Sequence, residues 1–288
     1  MTGRPDVATF FDPATNTFSY VVKDPESAAC AVVDSVLDFD YASGRVSHRS
    51  ADVVMAHVRE RGLTVEWLLE THVHADHLSA APYIQQALGG KVAIGAGIRA
   101  VQETFGKVFN EGTDFQRDGS QFDRLFEEGD TFSIGALSGR VMHTPGPTPA
   151  CVTYVIGDAA FVGDTLFMPD SGTARADFPG GCARTLFRSI GRVLDLPAET
   201  RLFMCHDYGP NGREILNETT VAAERAANIH VREGVSEDEF VKLRTERDAT
   251  LAMPKLIIPS LQVNMKAGEL PKPESDGKRY LKVPIDGF

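Results

Sequence analysis

Residues 71–77 read THVHADH, and this stretch decides how the rest of the chain is understood. Four side chains able to bind a metal ion, His72, His74, Asp76 and His77, fall within six positions. They follow VEWLLE (65–70), an apolar run that reads as a buried strand. In such a place each polar side chain needs a buried partner or water, and the ends of strands are where sites are commonly built. Imidazoles mixed with a carboxylate suit zinc, iron or manganese.

Working outward, the first third alternates strands and helices. ATFF (8–11), FSYVV (18–22) and ACAVVD (29–34) are short β-branched and aromatic runs separated by turn residues, which predicts strands. SADVVMAHVRERG (50–62) places Val53, Val54, His57 and Val58 at helical spacing before a glycine stop. LSAAPYIQQALGG (78–90) predicts the next helix, closed by Gly89 and Gly90. From about 106 to 130 the chain is charged and glycine-punctuated, and loops with short elements are expected. Strand patterns return in TFSIGALSGRVMHT (131–144), CVTYVIG (151–157) and AAFVGDT (159–165). CARTLFRSIGRVLDLP (182–197) then predicts a helix, RLFMC (201–205) a strand, and 219–247 further helices. From Met253 onward recurrent prolines predict an extended C-terminal tail lying on the body. No repeat, low-complexity run or linker divides the chain. It reads as one domain over 1–288, with two layers of sheet between helices.

The composition narrows the function. A net charge of −11, spread along the chain, disfavours binding to nucleic acid or to anionic membranes through bulk electrostatics. An anionic substrate must therefore meet a local arginine or lysine. The first residues lack the n- and h-regions of a signal peptide, and there is no run of about 18 apolar residues. Four cysteines without a CxxC spacing suggest reduced thiols. A cytoplasmic location is expected. Cys30 reads as a small buried hydrophobe. Cys182, at a helix start after PGG, is also expected to pack, although such a position raises thiolate character.

HxHxDH after a strand resembles the signature of the metallo-β-lactamase superfamily, whose fold is an α/β αββα sandwich of two mixed sheets between helices. VGDTLF (162–167) is similar to the motif supplying a bridging carboxylate, here Asp164, and CHDY (205–208) to the one supplying the last metal histidine, here His206. In members with two metals the resemblance implies His72 and His74 on one ion, Asp76, His77 and His206 on the other, and Asp164 between them. ACVTYVIGD, ARADFPGGCARTLFRSI, HDY and PSLQVNMKAG are further similar to segments of the persulfide dioxygenases, also called sulfur dioxygenases, and their bacterial hydrolase-like relatives. That likeness covers almost the whole chain. It implies one Fe(II) held by two histidines and a carboxylate, with His72 and Asp164 among the ligands, and oxidation of glutathione persulfide to sulfite. It also implies Arg175 as a substrate-carboxylate contact and Tyr208 facing the metal pocket. The bland readings of those two are a surface salt bridge and a core tyrosine.

The chain departs from the family at one position. The usual HTPGHTP becomes HTPGPTP over 143–149, which puts Pro147 where the middle metal histidine belongs. Proline offers a metal no donor atom. Three outcomes are open: His143 takes its place, across up to about 13 Å of extended chain; the metal, as zinc, moves to Asp76, His77, His206 and Asp164; or His72, His74 and Asp164 hold it with water. The leading expectation is a persulfide dioxygenase-like iron enzyme. The alternatives are a glyoxalase II-like thioester or ester hydrolase with two metal ions or one zinc, and a catalytically weak thiol-binding relative. A homodimer is the expected assembly.

Overall fold

A computed structural model describes residues 3–287. Its first strands are β1 (Asp6–Asp12), β2 (Thr17–Lys23) and β3 (Ala29–Val33). Nearly every residue of β2 and all of β3 are buried, a pattern that requires cover on both faces of their sheet. Along these strands the alternation of side chains divides the burial. Phe18, Tyr20, Val22, Ala31 and Val33 join one apolar cluster, while Val21, Cys30 and Val32 join another.

The chain continues through β4 (Val36–Asp40), β5 (Arg45–Ser47), α1 (Arg49–Glu60), β6 (Thr64–Leu69), β7 (Leu78–Ser79), α2 (Ala81–Leu88), β8 (Lys91–Gly95), α3 (Ile98–Val108) and β9 (Arg124–Phe126). The second half holds β10 (Thr131–Ile134), β11 (Leu137–His143), β12 (Val152–Ile156), β13 (Ala159–Phe161), α4 (Ala183–Leu194), β14 (Arg201–Phe203), β15 (Glu218–Thr220), α5 (Val221–Ala227), α6 (Glu237–Asp248) and α7 (Ile257–Asn264). One sheet runs β1-β2-β3-β6-β8-β9, antiparallel through β3 and parallel thereafter. The other runs β10-β11-β12-β13-β14-β15, with β13 and β14 its parallel pair. A small sheet, β5-β4-β7, completes the set.

The two large sheets pack face to face on a shared core in which Phe18, Tyr20 and Leu69 meet Phe132, Tyr154, Phe161 and Phe203. Helices α1, α2, α3 and α7 cover the outer face of the first sheet, and α4, α5 and α6 that of the second. This is the expected αββα sandwich. Two core tyrosines also cross between the sheets beside the ligand loops. Tyr20 donates to the carbonyl of Met204 at 2.5 Å, and Tyr154 to that of Glu70 at 3.0 Å.

Two predicted elements differ. The helix expected over 78–90 begins at Ala81, because Leu78 and Ser79 first pair with β4 as β7. Where an extended tail was expected from Met253, Ile257–Asn264 form α7, with seven of its eight residues buried. Pro259 misled the reading: it lies in the first turn of α7, where a helix needs no N–H. From 269 to 287 the chain does run without helix or strand. No helix among the described residues is long and apolar enough to cross a membrane.

Candidate metal centre

Three strands deliver the histidine cluster to one edge of the sandwich. The end of β6 leads into 70–77, the end of β13 into a tight turn carrying Asp164, and the end of β14 into His206. The turn at Asp164 depends on a glycine. Gly163 has φ +52°, and a Cβ there would stand 2.7 Å from Thr71 Oγ1, so only glycine lets the turn lie against the histidine loop.

Each imidazole is held through one ring nitrogen, and the other is either unpartnered, as in His74 and His77, or turned to a carboxylate of the cluster, as in His72 and His206. Thr71 Oγ1 donates to Asp34 Oδ2 at 2.8 Å, so at 2.9 Å from His72 Nδ1 it accepts that proton. His72 Nε2 then faces Asp164 Oδ2 at 3.5 Å. His74 is held the other way round: Nε2 meets Asp34 Oδ1 at 3.0 Å and Glu70 Oε2 at 3.3 Å, while Nδ1 is buried without a hydrogen-bond partner. His77 Nδ1 lies 3.3 Å from Asp76 Oδ2, and its Nε2 is likewise buried and unpartnered. His206 Nδ1 lies 3.2 Å from the carbonyl of Asn16 and donates to it, which aims Nε2 at Asp76 Oδ2 (3.4 Å) and Asp164 Oδ1 (3.3 Å).

Buried ring nitrogens without partners are costly in a folded protein, and their convergence here is the signature of a ligand set. His74, Asp76 and His77 each bring a donor atom within 4.8 Å of the others. With a metal–nitrogen bond of about 2.0–2.1 Å, two donors on a tetrahedral ion stand about 3.4 Å apart, which matches the His206–Asp76 and His206–Asp164 separations. The outer grip is equally typical, since a ligating histidine normally gives its other N–H to a carboxylate, carbonyl or hydroxyl. The residues present fit a metal ion.

The electrostatics favour a positive charge at this site, so a metal ion binding at His74 would displace a proton from it. Burial disfavours an imidazolium at His74, but the Asp34 carboxylate outweighs it and holds His74 well above the ordinary histidine value. For Asp34 the same pairing overcomes burial and pulls the carboxyl down to about 2. Burial would raise Asp76 and Asp164, yet His206 with His77, and His72 with His206, keep both carboxyls below their usual range. Both are ionised and ready to bind a cation.

All six expected ligands, His72, His74, Asp76, His77, Asp164 and His206, therefore come together. The seventh family position does not supply one. Pro147 is buried in the wall of the same cavity as His72, Asp76, Asp164 and His206. Its loop is fixed by α4, through Ser189 Oγ to the Pro145 carbonyl (2.6 Å) and Cys182 N–H to the Gly146 carbonyl (2.8 Å). His143 does not replace it. Its Nε2 lies 3.0 Å from the carbonyl of Phe126 and its N–H donates to Glu128, so it faces the β9 edge and not the metal donors.

The cavity above the donors holds about 460 Å³ and is largely apolar, with Phe105, Phe167, Phe178 and Leu261 in its wall. Tyr208 lines it, stacked on His206 at 6.1 Å and more than half exposed. Desolvation by the surrounding chain still pushes its phenol up to about 12, so it remains a neutral donor. The core-tyrosine reading does not apply.

Arg175 also lines the cavity, but its guanidinium is already bidentate on Asp177 (2.6 and 2.7 Å) and bonded to the Ala252 carbonyl (2.7 Å). The salt-bridge reading describes it. Arg244 is spent on Asp248. Arg247, exposed on α6, lines the cavity with no ion pair among the described residues, and sequence reasoning passed over it. It also missed Asp34, Thr71 and Asn264; an acidic residue ending the buried run ACAVVD was the available signal for Asp34. The four cysteines are free; Cys30 is buried as expected, whereas Cys182, expected to pack, is exposed at the N-terminus of α4.

Comparison with known proteins gives a consistent picture. Residues 12–206 match the family model described as the metallo-beta-lactamase superfamily. A probable metallo-hydrolase of Burkholderia pseudomallei is 61% identical, over 98% of this chain and 99% of its own. A beta-lactamase hydrolase-like protein of Xylella fastidiosa is 54% identical over 99% of this chain, which spans only 65% of that relative's length. A mitochondrial persulfide dioxygenase of Mus musculus, ETHE1, is 30% identical over 90% of this chain and 87% of its own. The crystal structure of ETHE1 from Myxococcus xanthus superposes with a TM-score of 0.73 at 28% identity, covering 92% of this chain and all of that one.

Proposed function

The chain belongs to the metallo-beta-lactamase superfamily, and from that premise we propose that it is a persulfide dioxygenase-like oxidoreductase that uses a single iron to convert glutathione persulfide to sulfite and glutathione. The observation that carries this reading is the donor set left by Pro147. His72, His74 and Asp164 offer two imidazoles and one carboxylate, the residue types used by mononuclear Fe(II) oxygenases, with His72 Nε2 3.5 Å from Asp164 and the His72 and His74 rings 4.0 Å apart. Two fully built sites of the family's di-metal pattern need one histidine more than the six expected ligands provide, because Pro147 stands at its position. The likeness to the mouse persulfide dioxygenase and the Myxococcus structure supports the same direction.

A ferrous ion held there would supply open coordination positions for O2 and the substrate sulfur and a redox-active centre between them, the four electrons that reduce O2 coming from the sulfur itself. The chain's own contribution is positional. Asp34 and Thr71 lock the tautomers of His74 and His72, the apolar wall sheds water from the sulfur, and the neutral Tyr208 offers an O–H donor to the substrate. Among the described residues, Arg247 is a cavity cation without an ion pair, free to receive a substrate carboxylate. The overall reaction balances as GSSH + O2 + H2O giving GSH and sulfurous acid.

A hydrolase is the second reading, favoured by the intact quartet Asp76, His77, His206 and Asp164 and by the names of the bacterial relatives. The assay that separates the two supplies glutathione persulfide and a glutathione thioester to the same preparation. Oxygen uptake matched by sulfite supports the dioxygenase; acid release from the thioester without oxygen uptake overturns it in favour of the hydrolase.

A further inference from the structure

The segment PSLQVNMKAG contributes nothing to the donor set, yet its helix ends against the histidine loop. Asn264, the last residue of α7, is buried. Its Nδ2 donates to the carbonyls of His74 (2.9 Å) and His77 (2.7 Å), and its Oδ1 accepts the N–H of Ser79 at 2.8 Å. One side-chain amide thus spans the loop from His74 to Ser79 with both donor hydrogens and an acceptor in use. The approach is close throughout. A Cβ on Gly268 would stand 2.9 Å from the Ser79 carbonyl and 2.7 Å from Pro82, and Ala267 takes a left-handed φ of +57° to keep the chain there. Gln102 fixes the same turn through the Met265 carbonyl at 2.8 Å.

We propose that Asn264 is a positioning residue for the metal centre, acting through the backbone carbonyls of His74 and His77. These two residues are the ones whose free ring nitrogens, Nδ1 and Nε2, lie buried without a partner. A rotation of either peptide swings its imidazole, so the amide that holds both carbonyls sets the direction of both donors. A loop fastened only for stability could be tied at any peptide; this one is tied at the two ligand residues. The inference rests on the reading that the site holds a metal, whichever reaction follows.

The test is a titration with Co(II) alone, followed by its visible absorption, on the full-length chain and on N264A, N264S and V263A, with circular dichroism to verify folding. Removal of an outer partner of a metal ligand weakens binding about 10–100-fold. N264A is expected to show that loss together with an altered Co(II) spectrum. N264S, which keeps one donor, should fall between, and decides the matter if N264A does not fold. V263A removes buried apolar contact from α7 without touching the loop, and should lower the melting temperature while leaving affinity and spectrum unchanged. Parental affinity and spectrum in folded N264A or N264S overturn the positioning role alone. Absence of Co(II) binding by the parent chain overturns the metal reading and this inference with it.

Discussion

Asp34 Oδ1 accepts a hydrogen bond from Nε2 of His74 across 3.0 Å, and so leaves Nδ1, buried without a hydrogen-bond partner, as the nitrogen available to a metal. Neither residue can be understood alone. Asp34 adopts a left-handed φ of +51° at the end of the buried run 29–33 and accepts from Thr71 through both carboxylate oxygens. Removing it as Asp34→Ala strands a buried imidazole. We expect metal affinity to fall about 10–100-fold. Breaking a buried charged pair should also cost the metal-free fold about 3–5 kcal/mol, read by urea unfolding. Unchanged affinity would show that Asp34 does not set the tautomer.

Pro147 lines the cavity at the place of a missing donor, so Pro147→His should bind metal more tightly than the parent. The gain should exceed the about 10-fold effect of an outer partner, because the added imidazole would touch the ion itself. A metal titration under anaerobic conditions measures it. No gain would mean that position 147 is not directed at the donor set.

Arg175 and Arg247 separate cleanly by their partners. Arg247→Ala should raise KM for glutathione persulfide while leaving kcat alone, as loss of uniform binding does. An exposed ion pair is worth about 0.2–1 kcal/mol, so the increase is at most about fivefold. Arg175→Ala frees Asp177 and the Ala252 carbonyl, and its main effect should be a lower melting temperature. The reverse assignment would make Arg175 the carboxylate receptor after all.

Glu224 gives a stability signature away from the metal. Burial pushes its carboxyl up to about 8, with Asn228 its hydrogen-bond partner at 2.6 Å. A folded-state value above the unfolded one means that its contribution is full below about pH 4.5 and is lost as pH rises toward 8. Stability should therefore decline over that window by at most about 1.4 kcal/mol per pH unit from this group. Glu224→Gln should flatten the decline, as read by denaturant unfolding at several pH values. An unchanged slope would assign the dependence to other groups.

Much of this was legible in the sequence because ligand residues follow strands at fixed spacing. THVHADH, VGDT and CHDY each mark a strand end, and the three ends meet. The two-sided burial of β3 was written in its unbroken apolar run ACAVV, whereas β2 buries Thr17 and Ser19 among its apolar residues. What was hidden depended on contacts distant in sequence. Asn264 grips His74 from 190 residues away, and Arg175, already paired with its near neighbour Asp177, is also tied to the Ala252 carbonyl 77 residues on. The departure at Pro147 was visible at once, but that His143 is tied to Phe126 and cannot substitute required the register of β11 and the position of β9.

The most direct test of the central claim is the metal content of the protein purified anaerobically and reconstituted with Fe(II), normalised per chain. The account predicts about one iron per chain, lost in His72→Ala and in Asp164→Ala. Little or no bound metal in the parent, or binding that survives both substitutions, would contradict it.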